Sequence, residues 1–121
     1  MIQLNDLPQT LCVEVTQDDI NNAGSDEYNC PIALAITRQL NLPPAEDLIQ
    51  VGVANDDIKV HTYSGMREYL GAASYEHTLQ SAAFVTFYDL WCSPEVRFYA
   101  NPYRHMLKPA RLCLKRRHAW H

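Results

Sequence analysis

The chain has 121 residues, of which 47% are hydrophobic and 20% are charged, and 10 Lys and Arg residues stand against 14 Asp and Glu residues. This is the composition of a folded globule, so it excludes a disordered, collagen-like or low-complexity chain. The length predicts one domain that spans residues 1–121.

The first half of the chain predicts a strand, two helices and a β-hairpin. Residues 11–15 alternate as a strand does, and Thr16 with the acids that follow it has the pattern of a helix start. Cys30 and Pro31 open a longer helix, because proline is favoured at the first helical position. Residues 48–53 and 58–63 alternate again and are joined by a short polar turn, which is typical of a hairpin.

The second half predicts two more helices and a last strand. Residues 66–70 suggest one helical turn, and residues 75–92 an amphipathic helix that buries Leu79, Ala83, Phe87, Leu90 and Trp91. A shorter helix follows from residue 93 to Pro102, then a strand over 110–115 and a flexible tail over 116–121. The predicted order is βααββααβ, an α+β fold in which helices cover one face of a mostly antiparallel sheet of about four strands.

The cysteines and the chain start predict a compartment. The first residues lack the basic and apolar regions of an export signal, and no apolar run is long enough to span a bilayer. We therefore expect a cytoplasmic protein with no membrane partner. Its four cysteines are sparse and widely spaced, so we expect them to stay reduced.

Charge is divided between the two ends of the chain. Residues 1–60 carry ten acids and two bases, whereas residues 96–121 carry seven bases and no acid. The basic segment is a candidate nucleic-acid surface, made of Arg104, Lys108, Arg111, Lys115, Arg116 and Arg117. The alternatives are a solvated strand end and pairing with the protein's own acidic half, and the net charge of −4 opposes polyanion binding.

Cys30 is the strongest candidate for a reactive residue, because the positive end of a helix dipole favours a thiolate. Covalent catalysis also needs a base, and the five histidines are all distant in sequence, so a buried residue that caps the helix is the simpler interpretation. Cys113, His118 and His121 give only a weak zinc pattern without a fourth ligand. We predict no catalytic residue, no metal and no cofactor.

Two groups of residues suit a protein partner. Tyr88, Tyr99 and Tyr103 lie in an aromatic-rich stretch and are of the type that anchors interfaces or self-association. Asp56 and Asp57 lie in the hairpin turn, where they could place negative charge in a basic groove of another protein.

Part of the sequence resembles a known group of proteins, and this resemblance implies a genetic setting. Residues 13–20, which read Val-Glu-Val-Thr-Gln-Asp-Asp-Ile, and residues 30–35, which read Cys-Pro-Ile-Ala-Leu-Ala, resemble the opening of small uncharacterised proteins of tailed bacteriophages and prophages. The resemblance covers residues 13–38 best and implies a viral genetic setting but no catalytic residue. The sequence thus favours a phage-encoded accessory protein that binds a host protein complex, such as an anti-CRISPR inhibitor. Nucleic-acid binding is the alternative, and a thiol-dependent enzyme ranks third.

Overall fold

A computed structural model describes residues 7–40, 49–94 and 106–117. The strands are β1 (Thr10–Val15), β2 (Ile49–Val53), β3 (Asp57–Tyr63), β4 (Tyr69–Glu76) and β5 (Ala110–Arg116); the helices are α1 (Gln17–Asn22), α2 (Pro31–Leu40) and α3 (Leu79–Phe87). A π-helical turn, Tyr88–Cys92, continues α3. None of the helices in these ranges has the length and apolar character that a membrane span needs. The predicted α+β class is confirmed.

The strands form one sheet in the order β1-β5-β4-β3-β2, with every neighbouring pair antiparallel. Within the described ranges, the β1–β5 ribbon and the β2–β3–β4 meander join at the pairs Tyr75↔Arg116 and Glu76↔Lys115, next to which the Arg117 N–H donates to the Ser74 carbonyl at 2.7 Å. The two parts diverge from this junction, so the sheet is curled. The first and last strands of the chain are consequently neighbours.

The core fills the inner face of this sheet. Alternate residues of the strands are buried, while the residues between them are more exposed. α2 contributes its apolar side, and α3 with its π-helical turn contributes Phe84, Val85 and Tyr88. The largest fully buried side chains are Tyr75, Tyr88, Leu11, Ile20, Ile32, Ile36, Ile58, Leu112 and Leu114, with Val13, Val15 and Val51.

The helix-start signals in the first half of the chain are confirmed. Thr16 accepts a hydrogen bond from the Asp19 N–H, and the Asp19 carboxylate accepts one from the Thr16 N–H, which makes a capping box. Asp19 is buried and forms an ion pair with Arg38 of α2. The same guanidinium donates to the Glu14 carbonyl at 2.8 Å, so one side chain joins α1, α2 and β1.

The sheet has five strands rather than the predicted four, because the segment that forms β4 has no strand pattern of its own. The segment predicted as a helical turn over 66–70 instead leads into a strand that pairs with β3 from Tyr63↔Tyr69 to Asp57↔Glu76. Its central residues, Gly71, Ala72, Ala73 and Ser74, are small and give no apolar alternation. The strand is specified by its pairing with β3 rather than by its own sequence pattern.

The predicted buried stripe of the long helix is wrong at most of its positions: Phe87 is half-buried and packs against the core, as predicted, but Ala83 is exposed. Leu79 is 94% exposed, Leu90 is 60% exposed and Trp91 is 46% exposed. The helix begins at Leu79 rather than at residue 75, since Tyr75 belongs to β4, and its end widens into a π-helical turn that shifts the residues facing the core. The shorter helix predicted from residue 93 to Pro102 lies almost wholly outside the described residues.

Two of the four cysteines are not reduced. Cys12 and Cys113 stand opposite each other in β1 and β5 and form a disulfide, although 101 residues separate them in sequence. Cys30 and Cys92 keep their thiols, and both are buried. Only the pairing of the first strand with the last one brings Cys12 and Cys113 together, which their sequence spacing could not reveal.

Candidate protein-docking surface

The outer face of the β2–β3–β4 meander carries a group of aromatic rings. We call the group of Tyr28, His61, Tyr63 and Tyr69 the aromatic surface. The Tyr63 and Tyr69 ring centroids are 5.5 Å apart, and those of His61 and Tyr69 are 5.8 Å apart, in tilted arrangements. Tyr69 is 58% exposed, so the central ring of the group faces solvent.

A β-bulge places Tyr69 in this group. The register between β3 and β4 shifts after Thr62, which pairs with Gly71, so Tyr63 pairs with Tyr69 and Leu70 is the extra residue. Gly71 has a φ of 134°, which side-chain-bearing residues rarely adopt, and its carbonyl accepts the Thr62 hydroxyl at 3.0 Å. Without the shift, Leu70 would stand opposite Tyr63. The bulge therefore exchanges an aliphatic side chain for an aromatic one on the outer face.

Hydrogen bonds fix the rings. The His61 Nδ1 and the Tyr69 hydroxyl are 3.2 Å apart, and the Tyr63 hydroxyl donates to the Gln50 side-chain oxygen at 3.4 Å. These bonds orient the rings before any partner arrives, which lowers the entropy lost on binding.

Tyr28 reaches the same face from the loop before α2. Its ring lies on Gly52 of β2, where an added Cβ would come within 3.2 Å of the Tyr28 Cε1 atom. A hydrogen bond to Glu27, together with the negative charge of that carboxylate, raises the pKa of the Tyr28 hydroxyl. Tyr28 therefore stays a neutral phenol, and the residue is 42% exposed.

Apolar residues lie near the aromatic surface at the β3–β4 turn, and residues of both charges lie around it. Met66, in the turn between β3 and β4, is 85% exposed, and Leu70 is 45% exposed. Lys59 lies on the outer side of β3, and Glu27 and Glu68 are exposed next to Tyr28 and Tyr69 in the chain. Protein interfaces have a centre enriched in aromatic residues and methionine and a polar rim, and this surface has aromatic rings with Met66 near them and charged residues around them.

Most residues predicted to bind a partner lie elsewhere. Tyr88 is 1% exposed, and its hydroxyl donates to the Gly24 carbonyl at 2.9 Å, so it belongs to the core and offers a partner no surface. Tyr99 and Tyr103 lie outside the described residues. Asp56 is exposed and Asp57 half-buried at the β2–β3 turn, the opposite end of β3 from Tyr63.

Two of the six predicted nucleic-acid residues, Arg116 and Arg117, have side-chain contacts within the protein. Arg116 donates to the Leu7 carbonyl at 3.2 Å, and Arg117 lies 3.6 Å from the Glu76 carboxylate. Arg111 pairs across the strands with Glu14. Lys108 and Lys115 are exposed, whereas Arg104 lies outside the described residues. The contacts of Arg116 and Arg117 also place the first two residues of the predicted tail within or next to the sheet.

Cys30 does not have the properties of a nucleophile. The residue is 5% exposed, and its desolvation raises the pKa of the thiol to about 11, although the N–H groups of Ala33 and Ile32 act in the opposite direction. The Ala33 N–H donates to its sulfur at 3.5 Å, as in a helix cap. Desolvation thus outweighs the helix N-terminus, and the thiol stays protonated at neutral pH.

A serine–histidine pair is structural as well. His77 Nδ1 lies 2.8 Å from the Ser81 hydroxyl, and its Nε2 lies 2.7 Å from the Ala54 carbonyl. Ser81 is fully buried and forms the capping box of α3 with Thr78. His77 therefore fastens the start of α3 to the β2–β3 turn, and no substrate can reach the hydroxyl.

The described part of the chain contains no candidate metal cluster. It contains no group of three or more His, Cys, Asp or Glu side chains that could hold a metal ion. The Cys113 sulfur of the weak zinc pattern is in the disulfide, and His118 and His121 lie outside these ranges. Three open depressions of about 260, 350 and 420 Å³ contain neither histidine nor cysteine.

Sequence reasoning missed the aromatic surface because its members come from three separate segments. Alternation in 58–63 does place His61 and Tyr63 opposite the core side, but Tyr69 depends on the unpredicted strand and its bulge. Comparison with known proteins gives no family: no family model, no curated protein and no solved structure matches the chain.

Proposed function

We propose that this protein is a non-catalytic binding protein that docks on a partner protein through the aromatic surface. The observation that carries the proposal is the Tyr69 ring, which a bulge brings between Tyr63 and His61 and leaves 58% exposed. Large rings with few rotatable bonds gain much buried area for little lost entropy, so they dominate many interfaces. The buried and protonated Cys30 supports the absence of catalysis.

The class of partner follows from the resemblance of residues 13–38 to phage proteins. We propose a protein or protein complex of a bacterial host as the partner, with inhibition of a defence complex, such as an anti-CRISPR activity, as one form of this function. The acids of the β2–β3 turn, exposed Asp56 and half-buried Asp57, lie at the far end of β3 and would meet basic residues only of a partner that extends along the whole strand.

The test compares one surface substitution with a matched control. The immobilised protein captures a partner from a bacterial lysate, mass spectrometry identifies it, and the purified partner is titrated by calorimetry. We expect Tyr69→Ser to weaken binding by about 30-fold or more, because removal of a residue at the centre of an interface has an effect of this size. Leu79→Ser removes a comparable side chain that is 94% exposed on α3, and binding should be unchanged. Equal affinities for the wild type and Tyr69→Ser would refute the proposal.

Nucleic-acid binding is a second candidate function, and one observation supports it. Arg111 and Lys115 occupy alternate positions of β5 and are both exposed on the outer face. If they contact phosphates, the affinity for an oligonucleotide, measured by fluorescence anisotropy, should fall steeply as salt rises. An affinity for a protein partner that changes little with salt would favour the aromatic surface instead.

A further inference from the structure

We propose that the Cys12–Cys113 disulfide is a thiol–disulfide exchange site on the folded protein, and that its substrates are low-molecular-weight anionic thiols and the corresponding disulfides. The inference is independent of the proposed function, since it rests on the β1–β5 ribbon rather than on the aromatic surface.

The bond is open to a small thiol. Cys12 and Cys113 occupy outward positions of their strands, Cys12 half-buried and Cys113 exposed. Within the described ranges, β5 pairs with β4 at Lys115 and Arg116, and the Arg117 N–H donates to the Ser74 carbonyl, so none of the described strands lies beside Cys113 on that side. Cys113 is therefore the sulfur that an incoming thiolate reaches first.

The charges around Cys113 favour an anionic reagent. Arg111 and Lys115 lie two residues before and after it on the same face, about 6 to 7 Å along the strand. Arg117 lies nearby through its contact with Glu76. The carboxylates that face these bases are Glu14, opposite Arg111, and Glu76, opposite Lys115. Asp57 of β3 stands opposite Glu76, one strand further from Cys113. Among the described residues, the two groups that flank Cys113 on its own strand are thus both cationic, whereas the whole chain carries a net charge of −4.

The exchange consists of two displacements. A thiolate attacks the Cys113 sulfur, a bond forms between the two sulfurs, and the electron pair of the broken disulfide passes to Cys12, which takes a proton from water. A second thiolate attacks the sulfur of the bound thiol, releases Cys113 as a thiolate and leaves as the small-molecule disulfide. The two thiols are oxidised by two electrons and the protein disulfide is reduced. The reverse reaction uses the small-molecule disulfide as the oxidant.

The fold can accommodate the open form. β1 and β5 are paired over six positions from Thr10↔Lys115 to Val15↔Ala110, and Leu11, Val13, Leu112 and Leu114 hold their inner faces in the core. On its other side β1 is held by α2, because the Gln39 side chain donates to the Cys12 carbonyl at 2.7 Å. Breaking the disulfide removes one link among several, so the strands stay together and the bond can form again.

The test compares two thiols of equal length and opposite charge. The oxidised protein is treated under native conditions with 2-mercaptoethanesulfonate or with cysteamine, then quenched with acid, and loss of the disulfide is followed by intact mass spectrometry. Each rate is divided by the concentration of thiolate and by the rate of the same thiol with a small uncharged disulfide. We expect the anionic thiol to react several-fold faster than the cationic one on this scale.

Two variants and one kinetic control decide the result. Arg111→Gln with Lys115→Gln should abolish the preference for the anionic thiol, while Lys59→Gln on β3 should leave it unchanged. In every case the rate should rise in proportion to thiol concentration, and Cys30 and Cys92 should stay unmodified because both are buried. The proposal is overturned by equal normalised rates for the two thiols, by a preference that survives the double substitution, or by a rate independent of thiol concentration, which would mean that exchange requires global unfolding.

Discussion

Reduction of the Cys12–Cys113 disulfide should lower the free energy of unfolding by roughly 3–5 kcal/mol. The disulfide joins residues 101 positions apart, so it restricts nearly the whole unfolded chain, and chain entropy alone gives about 4.7 kcal/mol for a loop of this length. The strands that it links remain paired, so little native contact is lost. This is a large part of the 5–15 kcal/mol by which domains are typically stable.

The same magnitude can be expressed as a melting temperature. With an unfolding entropy of about 2.1 cal/mol/K per residue, a chain of 121 residues changes its Tm by about 4 °C per kcal/mol. Reduction should therefore lower the Tm by roughly 10–20 °C. It should also increase the dependence of the free energy on urea, because an unfolded chain without the cross-link is more expanded and exposes more surface.

The assay is urea unfolding followed by circular dichroism, with and without dithiothreitol. A variant with both Cys12→Ser and Cys113→Ser is the control, because reductant has no disulfide to act on at those positions and should not move its transition. The reasoning is refuted if complete reduction of the wild-type protein changes the free energy of unfolding by less than about 1 kcal/mol, since even short cross-linked loops are expected to contribute more.

Three further predictions concern the interior and the bulge. Burial raises the pKa of the Cys30 thiol to about 11, above its ordinary value of 9.0, so the stability that the buried thiol contributes is complete below pH 9 and is lost as the pH rises toward 11. Over this pH range, the denaturant midpoint should fall less in Cys30→Ala than in the wild type. Parallel curves for the two proteins would contradict the raised pKa. Gly71→Ala should cost about 1–3 kcal/mol, because alanine is strained at a φ of 134°, and a thermal melt within 2 °C of the wild type, half of the smallest expected shift, would speak against a fixed bulge. Tyr88→Phe leaves the Gly24 carbonyl without this donor and should cost about 1–3 kcal/mol in urea unfolding, whereas a neutral effect would show that the hydrogen bond contributes nothing.

Local signals predicted much of the fold. The hydroxyl of Thr16, the proline at position 31 and the alternation in β1, β3 and β5 act through bonds and sterics within a few residues, and the structure has these elements within one or two residues of the prediction. The prediction of two adjacent antiparallel strands over residues 48–63 is confirmed for the same reason.

Features that depend on distant partners were not predictable. The centre of β4 has only small residues, and the strand is defined by its pairing with β3. The helical pattern alone therefore predicts a start of α3 that is too early and places the wrong side of that helix in the core. The disulfide needs the first strand beside the last one. The aromatic surface needs all of these together, as well as a one-residue shift at Thr62 that no periodicity shows.

The two outermost strands of the sheet each have backbone groups occupied by other parts of the chain. On β1, the side chains of Arg38 and Gln39 hydrogen-bond the carbonyls of Glu14 and Cys12; on β2, the Val53 N–H donates to the Glu27 carbonyl. A strand of another chain could pair with either edge only after it had displaced these hydrogen bonds. These bonds therefore disfavour edge-to-edge association of sheets into fibres, and they leave the outer face of the sheet as the surface that a partner can contact.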